Sequence, residues 1–162
     1  MRQPPGAEDK SRRPTRVLSV SPAEEDHFLL RQILAEPAPA EFANYRWVVH
    51  AVHSLPSAVW ILRDRRIPIV VCERDLMPGT WKDMLEQVRL LPAPHLLIVT
   101  SRTADEHLWA EALNLGAYDV LAKPFNRTEV VRIVSLAWLH AKDHKQMSGG
   151  KPAPKLAAWQ AG

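Results

Sequence analysis

Apolar and polar positions along the chain fall into two alternating regimes. Near-continuous apolar runs, many of them β-branched, occur at Arg16–Val20, Trp47–Ala51, Ile67–Cys72, Leu96–Thr100 and Asp119–Ala122. Such runs mark strands buried on both faces. Stretches with helical spacing follow them. Leu29, Leu30, Ile33 and Leu34 come after the first run. Leu108, Ala112 and Leu115 come after the fourth and stop at Gly116. Val130, Val131, Ile133, Val134, Ala137 and Trp138 come after the fifth. Strand and helix in strict alternation predict a single α/β domain over residues 15–144, a (βα)5 doubly wound parallel five-stranded sheet with helices on both faces.

The starts of the helices carry their own chemistry. Ser21-Pro22-Ala23-Glu24 reads as a capping box with proline at the first helical position. Thr80-Trp81-Lys82-Asp83 and Thr103-Ala104-Asp105-Glu106 repeat it, and Asn126-Arg127-Thr128-Glu129 is a looser version. In each, a short polar side chain can accept from an orphan backbone N–H, and the acid suits the positive helix end. These junctions also locate the functional edge, because sites in open α/β sheets form at the carboxyl ends of the strands.

Composition narrows the class. A chain of 162 residues with 46% apolar content can bury one core of ordinary size. The net charge is +3, and much of the basicity lies near the ends, at Arg2, Lys10, Arg12, Arg13 and Arg16 and again at Lys142, Lys145, Lys151 and Lys155. These read first as solvated charges in disordered tails, 1–14 and 145–162. Attraction to nucleic acid is the alternative use of them. The tail segment Leu156–Trp159 is expected to be dispensable for folding. Cys72 is the only cysteine, which excludes an internal disulfide and fits a reducing cytoplasm. No run is long enough to span a bilayer, and the opening residues lack the apolar centre of a signal peptide.

The carboxyl edge of the expected sheet carries a resemblance. Gly116-Ala117 and Lys123-Pro124-Phe125 flank the fifth strand. Ile98-Val99-Thr100-Ser101-Arg102 forms the fourth, Leu76-Met77-Pro78-Gly79 the turn after the third, and Leu29-Leu30-Arg31 part of the first helix. Together they resemble the bacterial response-regulator receiver domain, chemotaxis type, over about residues 15–142. The resemblance implies a flavodoxin-like sheet of order 2-1-3-4-5 and a cis bond at Lys123–Pro124. It implies a stand-alone signalling domain of a two-component, phosphorelay-type system. In that family an aspartate ending the third strand accepts a phosphoryl group. Acids after the first strand hold Mg²⁺, a lysine after the fifth contacts the phosphoryl group, and a hydroxyl after the fourth reports it. Lys123 and Thr100 match the last two roles.

The remaining positions depart from the pattern. Ser21 and Pro22 stand where the acid pair belongs, and proline offers no side-chain oxygen. Glu24, Glu25 and Asp26 follow, and are read as first-turn acids favouring the helix dipole. Counting forward from the third strand puts Glu73 at the acceptor position; counting back from Met77-Pro78 puts Arg74 there. Asp75 comes too late by either count. Glutamate is one methylene longer than aspartate and can pair with Lys123 as a permanent negative charge. The expectation is therefore a degenerate pseudo-receiver, not an enzyme, independent of phosphorylation, with no cofactor, no Mg²⁺ and no other metal. A true phosphoacceptor using Glu73 or Asp75 is one alternative, and a nucleic-acid adaptor using the basic tails is another.

A domain without chemistry acts through a surface. The resemblance implies a protein partner on the face of the fourth helix, fifth strand and fifth helix, drawing on Trp109, Glu111, Tyr118, Val120 and Arg127, with His107 and Arg132. Val120 holds the place of the family's aromatic switch residue, and strand parity puts Tyr118 on the same face. His140 and His144, and His50 and His53, read as solvated histidines rather than metal pairs. Glycine-rich nucleotide loops are lacking. Cys72 reads as a small buried strand residue.

Overall fold

The computed structural model describes residues 13–37 and 39–147. The expected tails therefore lie mostly outside the described residues. Arg13 and Pro14 nevertheless belong to the first strand, and the last helix runs on to Met147, so the folded core is wider than 15–144 at both ends.

The strands are β1 (Arg13–Val20), β2 (Tyr45–Val52), β3 (Ile69–Glu73), β4 (Leu96–Ser101) and β5 (Asp119–Ala122). The helices are α1 (Glu24–Ala35), α2 (Leu55–Asp64), α3 (Trp81–Leu90), α4 (Glu106–Leu115) and α5 (Arg127–Met147). All strand pairs are parallel, in the order β2-β1-β3-β4-β5. This is the expected flavodoxin-like α/β architecture.

Burial on both faces explains the unbroken apolar strands. Leu18, Val20, Val70, Cys72, Leu97, Val99 and Val120 point to one side, against Ala58 and Leu62 of α2, Met84, Leu85 and Val88 of α3, and Leu108 and Ala112 of α4. Val17, Ile69, Val71, Ile98 and Leu121 point to the other, against Leu30 and Leu34 of α1 and Val130, Ile133, Val134 and Ala137 of α5. Each fully buried Val, Leu or Ile contributes about 1.5–3 kcal/mol of transfer free energy. A charged substitution at Val70 or Ile98 would break the sheet from its centre.

The helix starts follow the expected chemistry at some junctions and shift at others. Thr80 and Asp83 form the full capping box on α3. Asn126 Oδ1 accepts from the Glu129 N–H at 3.0 Å on α5. At α4 the cap is Asp105, not Thr103; its carboxylate accepts from the Leu108 N–H at 2.8 Å. At α1 the cap position is Ala23, which contributes no side-chain bond. Ser21 has instead turned its hydroxyl toward Asp26. A fifth cap, Ser54 on α2, accepts from Ser57 N–H. Gly116 ends α4 with a φ of +106°, a left-handed conformation that costs glycine little. Both Met77–Pro78 and Lys123–Pro124 are cis.

Candidate functional site

Parallel pairing brings the strand ends to one edge. Val20 pairs with Cys72, Glu73 with Thr100, and Ser101 with Ala122. Glu73 is the last residue of β3, Thr100 lies near the end of β4, and Lys123 directly follows β5. The Lys123 backbone N–H extends the ladder to the Ser101 carbonyl at 2.9 Å.

Over this edge the side chains converge on Lys123. Its ammonium lies 2.5 Å from Glu73 Oε2 and donates to Asp26 Oδ2 at 2.9 Å. Thr100 donates to the same Glu73 oxygen at 2.9 Å, and Ser21 donates to the same Asp26 oxygen at 2.6 Å. The Lys123, Asp26 and Glu73 side chains are only 10%, 10% and 14% exposed, so water screens these pairs little. Burial works against the Lys123 charge, but the hydrogen bonds to Glu73 and Asp26 outweigh it and raise its pKa above the usual lysine range. The amine is therefore an ammonium at neutral pH, and each carboxylate oxygen facing it has a hydroxyl donor as well.

The two counts for the acceptor position separate here. Glu73 faces the pocket. Arg74 turns away from it, its guanidinium donating to Thr103 Oγ1 at 3.0 Å. Asp75 is exposed and bridges to Thr80, away from the strand end. Pro22 is exposed, while Ser21 is buried. Asp26 is the residue that sequence reasoning misplaced. Glu24 and Glu25 are exposed as dipole-favouring acids should be, but Asp26 is buried. Its spacing held the signal: Asp26, Leu30 and Leu34 stand four apart, so the acid shares the buried face of α1.

Behind Ser21 lies His27, fully buried. Its Nε2 lies 3.0 Å from the Ser21 carbonyl, which can only accept, so Nε2 carries the hydrogen. Nδ1 then accepts from the Ser19 hydroxyl at 2.7 Å. Burial lowers the His27 pKa, against the raising effect of the Ser21 carbonyl. Cys72 is buried beside the pocket, and burial together with the Glu73 charge pushes its thiol far above the usual range.

The expected partner face divides. Val120 is buried at 6% exposure in the core under α4, so it offers nothing to a partner. Tyr118 does not share its side. It precedes β5, where strand alternation does not apply, and packs with Trp138 against the α1–α5 layer. Its hydroxyl meets His140 Nδ1 of α5 at 2.7 Å. Trp109 is half exposed, with its indole N–H on Asp119 Oδ1 at 3.3 Å. Glu111 pairs with Lys82 of α3 and, more distantly, with His107. Arg127 pairs at 2.5 Å with Glu36 just beyond α1. Trp109 is thus the exposed aromatic of this set, Tyr118 is packed and bonded to His140, and Glu111 and Arg127 are tied to neighbouring helices.

No protein-family model and no curated protein matches the sequence. Solved structures do. The receiver domain of a putative LuxO repressor protein from Vibrio parahaemolyticus superposes with a TM-score of 0.72 at 19% identity, over 86% of this chain and 100% of that one. The receiver domain of an HD domain-containing protein from Pseudomonas fluorescens Pf-5 gives 0.69 at 21% identity, over 82% and 92%. The beryllofluoride-activated NtrC4 receiver domain dimer gives 0.65 at 21%, over 78% and 98%. Among the described residues no helix is long and apolar enough to cross a membrane. The strand order, the converging strand ends and these likenesses agree: the chain has the receiver-domain fold of the response regulators.

Proposed function

We propose that this chain is a receiver-type signalling domain of a two-component system that works without phosphoryl transfer and acts by binding a protein partner. One observation carries the reading: the Glu73 carboxylate bonds both Thr100 and Lys123. The resemblance assigns those two side chains to a phosphoryl group on the third strand. Here a permanent anion of the chain itself already engages them. The domain is held in one state by its own ion pairs rather than switched by a modification.

The pocket also does not suit Mg²⁺. That ion needs oxygen ligands in near-octahedral order. Ser21 and Pro22 stand where acids would be, and the Asp26 and Glu73 oxygens that converge are already bridged by Lys123. A cation between them would have to displace the ammonium. The partner surface we favour centres on the exposed Trp109, with the half-buried Tyr118 as a second aromatic, since aromatic side chains commonly anchor interfaces.

The test is exposure of the full chain to acetyl phosphate, and separately to beryllofluoride, with Mg²⁺. The expected result is no added phosphoryl group by intact mass and no binding by calorimetry. A base-labile adduct abolished by Glu73→Gln or Asp75→Asn would overturn the reading in favour of a working phosphoacceptor.

A further inference from the structure

Beside the pocket, at the start of α1, stands a cluster that the signalling reading does not use. Glu24 and His27 occupy one side of α1, three residues apart. His53, just past the end of β2, reaches them from the neighbouring strand. One ligand atom from each of Glu24, His27 and His53 lies within 4.8 Å of the others. His53 Nε2 is 2.6 Å from Glu24 Oε2, and the two imidazoles meet edge to face at 5.0 Å between centroids.

We propose that Glu24, His27 and His53 form a binding site for a divalent transition metal of the zinc class. Two imidazoles and one carboxylate are a donor set that suits Zn²⁺, with a fourth position left for water. Magnesium prefers an all-oxygen shell and is poorly served by it. Tetrahedral Zn²⁺ with bonds of about 2.0–2.1 Å sets its ligand atoms about 3.3 Å apart, so the Glu24–His53 pair at 2.6 Å must open while the wider separations, up to 4.8 Å, close. The movement falls on the exposed members, since the Glu24 and His53 side chains are 70% and 59% exposed and can exchange their mutual bond for the metal.

His27 is the fixed member. Both ring nitrogens have partners, Ser19 Oγ and the Ser21 carbonyl, so binding requires it to release one of them. The bond that remains then orients the ring and fixes its tautomer, as outer partners of metal-bound histidines ordinarily do. A buried, pre-oriented imidazole with two adjustable surface ligands makes a shallow site of moderate affinity. The site is separate from the Lys123 pocket but adjoins it. His27 bonds the Ser21 carbonyl, and the Ser21 hydroxyl bonds Asp26.

The experiment titrates the full chain with Zn²⁺ by calorimetry, and with Co²⁺ followed by its visible absorption. Saturable one-to-one binding is expected, with Co²⁺ bands typical of tetrahedral coordination. Glu24→Gln and His53→Gln should each weaken binding at least about tenfold, with melting temperatures near the parent's because both side chains are exposed. His140→Gln should leave the affinity unchanged. Absence of saturable binding overturns the proposal. So does binding that survives both Glu24→Gln and His53→Gln, or binding that His140→Gln removes. A positive result is independent of whether Glu73 accepts a phosphoryl group, so this site and the signalling reading stand or fall separately.

Discussion

Asp26 and Lys123, 97 residues apart in the chain, meet at 2.9 Å over the carboxyl edge of the sheet. The contact gives α1 a charged anchor on the loop after β5. It also takes up an acid from the first turn of α1 that would otherwise only favour the helix dipole. With Glu73 on the other side, Lys123 sits between one buried and one part-buried carboxylate, and charge ties the pocket together.

Removing Lys123 should therefore be costly. Lys123→Ala leaves Asp26 and Glu73 near each other without a counter-ion, and breaking a buried pair this way costs about 3–5 kcal/mol. Urea unfolding should show that loss, and adding Asp26→Asn and Glu73→Gln to Lys123→Met should recover most of it. A loss under about 1 kcal/mol for Lys123→Ala would mean that solvent screens the pairs as it does at a surface.

Shortening the side chain at the strand end should not restore chemistry. Glu73→Asp supplies the family's residue type, yet Ser21 and Pro22 still provide no acid pair and Asp26 still holds Lys123. The variant is expected to remain unmodified by acetyl phosphate with Mg²⁺ on intact-mass analysis. Its melting temperature should fall, because the shorter carboxylate draws away from Thr100 and Lys123. Stoichiometric phosphorylation of this single variant would show that the metal-holding function survives elsewhere in the pocket.

Trp109 offers the sharpest test of the binding face. It is 51% exposed, and its indole hydrogen bond to Asp119 is long at 3.3 Å. Trp109→Ala should change stability by less than about 1 kcal/mol, whereas a buried aromatic anchor is worth roughly 2 kcal/mol or more to an interface. Partner capture by the full chain should drop at least about thirtyfold at unchanged melting temperature. Equal capture by Trp109→Ala and the parent, with loss on changing α1, would move the interface to the other side of the sheet.

His95 makes stability depend on mild acid. It precedes β4, with Nδ1 donating to the Ile67 carbonyl at 2.7 Å, and its Nε2 is buried without a partner. Burial holds its pKa below the usual histidine range, against the raising effect of that carbonyl. The unfolded chain binds a proton at a higher pH than the folded one does. Stability should therefore be at its plateau above about pH 6.5 and fall as pH drops toward the folded pKa, by at most about 1.4 kcal/mol per pH unit from this group. His50, also held low by burial, adds in the same direction. Denaturant melts between pH 7.5 and 5 should show a shallower slope for His95→Asn, which keeps a donor near the Ile67 carbonyl. An unchanged slope would remove His95 as the cause.

The amino-acid pattern by itself determined the architecture of this protein. Strands buried on both faces must be apolar at every position, so Ile69–Cys72 and Leu96–Val99 announce themselves in one dimension. Local chemistry does the same for Thr80 and Asn126, whose partners are three residues or fewer away. Caps proved less exact where several polar residues compete. Asp105 took the role expected of Thr103, and Ser21 gave its hydroxyl hydrogen to the Asp26 side chain while accepting only from the Ala23 N–H.

Only the tertiary structure decided the pocket. Whether Glu73 or Arg74 turns inward depends on the register that pairs Glu73 with Thr100, and a slip of one residue reverses every side chain. The fates of Val120 and Tyr118 turn on where β5 begins. Asp26 lies on the buried face of α1 by its spacing, but nothing along the chain names a lysine 97 residues later as its partner. Periodicity records how much of each face is removed from water. The identity of the group met there is set by crossover connections that bring distant strand ends to one edge, and that information exists only once the sheet has formed.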